Sequence, residues 1–573
     1  MRRRGALGCA VAMLGGALAG GAPAVTFNRE VAPLVFQHCA VCHRPGQPGP
    51  FPLLTYADVR SHAQQIVDVT SRGYMPPWPP EAGPHRLRDE RRLTAGQIRI
   101  FEGWLAAGTP EGDPHDLPAP PQWSAEWQLG PPDAVARMPL KYQLAADGPD
   151  VYRNFVLPVA LPAAKYVRAV EFRPVNPRIV HHAFMQVDRR GGSRKLDGRD
   201  GQPGFGGMNL PGGVEMMPGD YFLSWQPGKI ASAEEPGYGW PLAPGDDFVL
   251  EAHLKPSGKV EDLQCEIGLY FTEIAPTNQT VVFALKNYNL LIPPGVSNYV
   301  AEDEFILPVP VELRYIFPHA HFLGRTLAAY ATRPGGSPEA LIRIPDWDFN
   351  WQADYRYAEP VRLPAGSTLR MHYEYDNSPG NARNPGMPPH EVRYGPQSAD
   401  EMAELTLQVR VADAAAGAQL RAAYETNKAR RFRGYAEFRL AQNPRDAAAR
   451  KDLGLFQYRD KEEEAAAASF QQAAADDPLA DEPHYYLGLI HRTHRRLGEA
   501  RTEFETAIRL NPENAKAHGN LALIFMEQGN LKRAERSLRE ALRLNPADEL
   551  AREALEQVRK VLAGAGGGGS ESK

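Results

Sequence analysis

The sequence predicts a multidomain chain: a small α-helical domain first, two tandem antiparallel β-sandwich domains next, and an all-α superhelix of repeats last. Three observations predict it. A Cys-x-x-Cys-His motif sits in a short N-terminal segment with helical patterning, residues from about 133 to 412 read as short alternating runs broken by Pro-Gly and Gly-rich turns, and Asn/Asp-Pro pairs recur every 34 residues toward the C-terminus. At 573 residues the chain is too long for one core. Its 43% hydrophobic and 23% charged content is ordinary for soluble globular protein. A net charge of -5 without any basic run excludes nucleic acid as a partner.

Residues 1–24 read as a secretory signal: Arg2, Arg3 and Arg4 make a basic start, Ala6 to Gly20 a short apolar core, and Ala22-Pro23-Ala24 a small-residue cleavage site. The stretch is too short and too rich in Gly and Ala to span a bilayer. The mature chain is therefore expected to be periplasmic or secreted, with no stable membrane span.

Residues 25–112 form the first domain. His38-Cys39-Ala40-Val41-Cys42-His43 is the pattern for covalent haem attachment: two thiols three apart on a helical turn reach both vinyl groups and the following histidine reaches the iron. A redox dithiol is the alternative. Met75, in Gly73-Tyr74-Met75-Pro76-Pro77-Trp78-Pro79-Pro80, is expected to fill the sixth iron position opposite His43, since a proline-rich loop holds a thioether rigidly. His62 and His85 stand in reserve for that role. Leu93 to Leu105 reads as a capped amphipathic helix with Ile98, Phe101, Trp104 and Leu105 on one face. The segment resembles a small c-type cytochrome, which implies one covalently bound haem c. Residues 113–132, rich in Pro and polar side chains, read as a linker.

The two β-sandwiches are assigned to 133–275 and 276–412, on runs such as Tyr166 to Phe172, Asp247 to His253 and Leu363 to Tyr373. Histidines are concentrated in this region. His181 and His182 are adjacent on a strand, so they share a metal only where the backbone bulges, and His253 closes another strand. His319 and His321, two apart, present both imidazoles to one face. That pair alone suits copper, zinc, iron or nickel, and Met402 adds the thioether that favours cuprous copper. His372 is a weaker candidate, because its alternating context fits an ordinary strand position. Asp346 to Trp351 and Gln226-Pro227-Gly228 read as packing and turn residues, and Arg325 as structurally paired or meeting a substrate anion.

In order, His181-His182, Phe248 to His253, His319-Ala320-His321-Phe322-Leu323-Gly324-Arg325 and Ser398 to Met402 resemble the copper type II, ascorbate-dependent monooxygenases, a family that includes peptidylglycine α-hydroxylating monooxygenase and dopamine β-monooxygenase. The resemblance covers roughly residues 130–412. It implies two linked jelly-roll-like domains, two copper ions, one on His181, His182 and His253 and one on His319, His321 and Met402, and hydroxylation of an organic substrate by O2 at the second centre. It also implies an electron donor, an ascorbate-like reductant or a redox protein. Two features depart from the animal enzymes. Cys265 is the only cysteine left outside the haem motif and the signal, so no disulfide forms within the mature chain, and the family's peptide or catecholamine recognition residues have no match, so the substrate is not implied.

Asn443-Pro444, Asp477-Pro478, Asn511-Pro512 and Asn545-Pro546 set the 34-residue period, with Leu453, Leu487 and Leu521, and Ala466, Ala500 and Ala534, in step. This is the pattern of tetratricopeptide repeats, assigned to 413–563 with Asp548 to Leu562 as a cap. Such a superhelix offers a concave surface to a protein partner, or braces the rest of the chain. Residues 564–573 read as a flexible tail. Together the parts predict an exported copper-dependent monooxygenase fed by its own haem. The alternative is a redox-sensing or electron-transfer scaffold whose repeats bind a partner protein.

Overall fold

The computed structural model describes residues 25–47, 49–122, 127–207 and 214–566. The expected signal at 1–24 and all but the start of the expected tail lie outside them. The chain divides into two compact units: the described residues up to Leu285 with Ser297–Pro385 and Glu404–Gly417, and, separately, Lys286–Val296 with Gly386–Ala403 and the chain from Ala418 on.

The first unit begins with the helices Ala32–His38, Tyr56–Ser61, Ala63–Ser71 and Ala95–Ala106. The last of these starts where the sequence indicates. Thr94 and Gln97 close a reciprocal capping box, the Thr94 hydroxyl accepting from the Gln97 amide at 3.2 Å and the Gln97 side chain from the Thr94 amide at 2.7 Å. Phe101 and Trp104 bury against Phe27, Val31, Val35, Val59 and Ile66, with Ile98 and Leu105 at the edge of that cluster. The Trp104 indole donates to the Pro110 carbonyl at 2.9 Å, so the large ring is buried with its polar atom satisfied.

Beyond Tyr74 the chain runs extended across the β region. Glu81 N–H donates to the Arg343 carbonyl at 2.9 Å, Arg88 N–H to the Arg356 carbonyl at 2.7 Å, and Ala358 N–H to the Arg86 carbonyl at 2.8 Å. Leu87 and Tyr357 thereby form an antiparallel bridge. Ion pairs flank it, Glu81 with Arg343 at 2.8 Å and Arg88 with Glu235 at 2.7 Å. The expected linker is likewise tethered at its end. Trp127 is buried against Gly268, with the Arg173 guanidinium 4.5 Å over its ring, and the Glu171 carboxylate accepts the Gln128 and Leu129 amides.

The strand ladders described in the central region are antiparallel. A four-stranded sheet runs in the order Ala134–Arg137, Cys265–Thr272, Lys165–Pro174, Trp240–Leu242. A six-stranded sheet runs Phe205–Gly206, Val151–Pro158, Asp247–Leu254, Val180–Asp188, Val214–Glu215, with Ser224–Trp225 also on Val180–Asp188. Side chains of both sheets, among them Phe172, Leu269, Met185 and Leu250, meet in one apolar cluster. Cys265 lies in it as a free, fully buried thiol. Two further four-stranded sheets follow: Gln279–Lys286, Glu404–Val411, Val311–His319, Tyr355–Leu363, and Tyr299–Ile306, Thr368–Tyr375, Gly324–Thr332, Pro338–Ile344. Tyr355–Leu363 is an edge strand, and the Arg86 to Arg88 segment bridges onto it.

The second unit holds the helical repeats, from Ala447–Arg459 through Leu531–Leu544, with Glu549–Gly566 closing the array. The closing helix runs three residues into the segment read as tail. Gly454 and Gly488 let the Phe470 and Phe504 rings approach to where a Cβ would stand, 2.8 Å and 2.6 Å away. In the next repeat Ala522 and Leu538 occupy the corresponding positions, a larger residue opposite a smaller one. The short strands Leu291–Ile292 and Val392–Arg393 pair within this unit. Their neighbours Tyr288 and Tyr394 pack on Phe432 and Tyr435 of the helix Ala414–Gln442, which groups two loops with the helices although their sequence reads as part of the second sandwich. Among the described residues, no helix is long and apolar enough to cross a membrane.

Candidate metal centre

His253 stands near the end of Asp247–Leu254, opposite His182 on Val180–Asp188. The ladder slips between His253 and Leu254, which pair with His182 and Val180, so His181 is the extra residue of a β-bulge. The bulge re-aims His181, and adjacent histidines reach one point. His181 Nδ1 lies 3.1 Å and His182 Nε2 3.2 Å from His253 Nδ1. Among the described residues these three form the group whose ligand atoms all fall within 4.8 Å of one another.

The chemistry of this donor set fits a cation. His253 Nε2 contacts the Asp150 carboxylate at 2.7 Å, which holds the ring proton on Nε2 and leaves the Nδ1 lone pair facing the other two rings. His181 Nε2 and His182 Nδ1 are buried without a partner. Burial, with Lys255 and His253 nearby, pushes His181 down to about 3, and burial beside His253 and His181 holds His182 well below its ordinary value. Three neutral imidazoles at such separations share a proton between only one pair at a time, whereas a metal accepts all three lone pairs. Tyr152 stacks on His253 with centroids 4.2 Å apart and fixes the ring plane.

The second histidine pair ends the strand Val311–His319. The His319 and His321 rings are 5.2 Å apart and nearly perpendicular at 82°. His319 Nδ1 donates to Gln352 Oε1 at 2.6 Å. The amide orientation is set by the other end, since Gln352 Nε2 donates to the Phe349 carbonyl at 3.0 Å, so His319 keeps its lone pair on Nε2. The buried Trp347 indole donates to the His321 carbonyl at 3.0 Å, and Gly324 admits that indole where a Cβ would stand 2.6 Å from its Cδ1. Met402 belongs to the second unit, where its amide donates to the Glu401 carboxylate at 2.8 Å.

Phe349, only 2% exposed, touches both histidine sets, with centroids 5.7 Å from His181, 6.3 Å from His253 and 5.5 Å from His321. A second aromatic series, His182, Phe184, Phe222, Phe317 and His319, joins the sets by ring contacts of 4.7–6.3 Å. Asp150, Phe349 and Gln352 are the residues sequence reasoning missed. Asp346 to Trp351, read as packing and turn, supplies Phe349 and ends one residue before Gln352. His372 instead contacts Glu302 at 2.7 Å on the strand surface.

In the N-terminal domain, Cys42 and His43 amides both return to the Cys39 carbonyl, so the two thiols and the imidazole share one turn. His43 Nδ1 donates to the Phe51 carbonyl at 3.1 Å, which places its lone pair on Nε2, as an iron ligand requires. Burial pushes the Cys39 thiol up to about 12 and raises Cys42 as well. These residues fit a haem c. Met75 is half-buried, its amide donating to the Val69 carbonyl at 3.2 Å, and the Phe51 ring lies 5.0 Å from His43 with His62 stacked on it at 3.7 Å. His85 pairs with Glu339 at 3.1 Å.

A tetratricopeptide repeat family model matches residues 485–549. No curated protein matches the chain. Among solved structures, the chain is similar to the first TPR of Spaghetti (RPAP3) bound to an HSP90 peptide, with 18% identity over 20% of this chain and 93% of that one and a TM-score of 0.20. It is similar also to the crystal structure of MamA, with 18% identity, 24% and 83% coverage and a TM-score of 0.23. The family match shows tetratricopeptide repeats in the C-terminal part of the chain, a class of module that commonly mediates protein–protein interaction.

Proposed function

We propose that the chain is an exported copper-dependent monooxygenase that hydroxylates a C–H bond of an organic substrate with O2, its electrons delivered through a fused haem c. The observation that carries this reading is the convergence of His181, His182 and His253 nitrogens across a β-bulge. The finer fold goes with it: a cytochrome c-like domain at 25–112, jelly-roll-like sandwiches at 133–275 and 276–412, and a tetratricopeptide superhelix from 413 that binds a protein partner. One copper would be held by His181, His182 and His253, a second by His319, His321 and Met402, and the haem by Cys39, Cys42 and His43, with Met75 as the proposed sixth ligand. When bound, the metals would supply one-electron redox chemistry and a binding point for O2.

The chain's own residues prepare that chemistry. Asp150 keeps the proton on His253 Nε2, and Gln352 keeps it on His319 Nδ1, so each imidazole offers one lone pair in a fixed direction. Burial holds His181 and His182 neutral at physiological pH, which removes competition from protons. Phe349 and the Phe184, Phe222 and Phe317 rings pack around the two sets and hold the imidazole planes in place.

The test is metal and haem content of the full chain matured in an export pathway that attaches haem. About two coppers and one haem are expected, with one copper lost in His253→Ala and the other in Met402→Ala, and O2 consumption that depends on a C–H substrate. Copper and haem with no substrate-linked O2 consumption would turn the reading to an electron-transfer scaffold. Haem without copper overturns the metal assignment.

A further inference from the structure

The turn Gln226-Pro227-Gly228, which reads in the sequence as no more than a turn, touches the haem motif. Gly228 has φ +80°, and a Cβ there would stand 2.7 Å from Cys42 Sγ and 3.0 Å from Arg91 Nη1, so no side chain fits between the turn and the thiol. Only glycine lets a backbone approach a group this closely. Arg91 fixes the approach: its guanidinium donates to the Gly228 carbonyl, and its own backbone is hydrogen-bonded by the side chain of His38, the residue before Cys39. The ends of the turn are pinned as well. Ser224 Oγ and Lys229 Nζ both donate to Asp354 Oδ1 at 2.6 Å, and the Lys229 amide closes the turn on the Gln226 carbonyl at 3.0 Å. Behind the turn, Ser224–Trp225 pairs with Val180–Asp188, Trp225 opposite Ala183 and Ser224 opposite Phe184, and the Met185 amide donates to the Leu223 carbonyl at 2.9 Å. Ala183 follows His182 directly. One short stretch of chain therefore meets a haem-attachment thiol at its tip and lies in the sheet beside a ligand of the first histidine set at its base.

We propose that the Ser224 to Lys229 turn is the electron inlet of the first histidine set, taking electrons from the Cys42 edge of the haem and passing them along the ladder to Ala183 and His182. The proposal rests on the haem and copper reading above. In a haem c the Cys42 sulfur is bonded to a vinyl-derived carbon of the macrocycle, so Gly228 meets the edge of the π-system. Electron transfer falls off steeply with distance, and more steeply across a gap than along bonds, which favours a close contact followed by backbone and ladder hydrogen bonds. The step is a one-electron exchange in which ferrous haem iron becomes ferric and a cupric ion on His181, His182 and His253 becomes cuprous, with no covalent bond changed. A one-electron donor of the ascorbate-like or redox-protein class then re-reduces the haem. The second histidine set has a looser neighbour in the haem domain: the Tyr74 and Trp351 rings meet edge-on at 6.5 Å, Tyr74 is 53% exposed, and Gln352 follows Trp351.

The test uses the full chain loaded with haem and copper, without O2 or substrate, so that no turnover is read. A flash-generated flavin semiquinone reduces the haem, and the ferrous absorbance and the cupric electron paramagnetic resonance signal are followed as the electron moves on. His253→Ala empties the first set and should abolish the fast phase of haem reoxidation, whereas His319→Ala empties the second and should retain it. Gly228→Ala drives a Cβ into Cys42 Sγ and should slow that phase by an order of magnitude or more, with the haem spectrum, haem midpoint potential and copper content of the parent. Trp351→Leu, at the looser contact, should not slow it. A fast phase that survives His253→Ala and vanishes in His319→Ala overturns the proposal, as does a Gly228→Ala chain as fast as its parent. Where Gly228→Ala fails to attach haem, the two histidine variants decide between the inlets. A parent chain that holds haem and copper yet passes no electron between them overturns the haem-fed reading itself and the inlet with it.

Discussion

Replacing Asp150 by Asn tests whether the first histidine cluster is a metal centre whose outer partner has been arranged for it. The carboxylate sits 2.7 Å from His253 Nε2 and is 31% exposed, while the imidazole side chain is fully buried. A charge-assisted hydrogen bond is worth about 1.5–3 kcal/mol, and partial exposure of the acid places this one toward the lower end. Loss of such an outer partner typically lowers metal affinity ~10–100-fold. The expected penalty for Asp150→Asn is therefore about tenfold to thirtyfold in copper affinity, since the amide keeps the shape but loses the charge that makes His253 a stronger base. The measurement is competition with a chromophoric cuprous chelator in full-length protein carrying His319→Ala, so that one centre is read. His253→Ala in the same background should abolish binding. An Asp150→Asn protein that holds copper within twofold of its parent, while His253→Ala loses it, would refute the argument that Asp150 prepares the ligand.

Three further outcomes follow from packing. Gly488→Ala forces a Cβ to within 2.6 Å of the buried Phe504 ring and should destabilise the helical unit by about 1–3 kcal/mol, whereas Gly519→Ala, with nothing within 4 Å, should stabilise it by up to about 1 kcal/mol in thermal melts followed by far-UV circular dichroism. Gly324→Ala drives a Cβ into Trp347, whose indole holds the His321 carbonyl, so copper analysis should show the second centre depleted and the first retained. Burial raises the Cys265 thiol far above its ordinary value, so the folded chain holds it neutral. Iodoacetamide should label it only on unfolding. Because the unfolded chain ionises that thiol near pH ~8.5 and the folded one does not, stability should fall as pH rises past that value.

The repeats were legible because the same signal returns every 34 residues, and a recurrent Gly, Ala or Pro carries its own packing reason. The capped helix at Ala95–Ala106 was legible because Thr94, Gln97 and its apolar face are local. His181, His182 and His253 were legible as candidates, yet their convergence depends on a register slip that alternation cannot show. Asp150 meets His253 across 103 residues and Gln352 meets His319 across 33. Nothing in the local pattern of either residue sets it apart from a surface acid or a turn amide. The Pro-rich stretch after Met75 was read for a thioether, while its longer-range role lies in Trp78, Arg88 and Arg91, whose partners are strands and turns more than a hundred residues away.

The bridge between Leu87 and Tyr357 bears on how this chain can be taken apart. Tyr355–Leu363 is the outermost strand of its sheet, and an uncovered strand edge is a template for other chains. Arg86 to Arg88 occupies that edge through two backbone hydrogen bonds. The N-terminal domain thus covers the Arg356 to Ala358 part of that edge, so its removal would leave those backbone groups open to pairing with another chain.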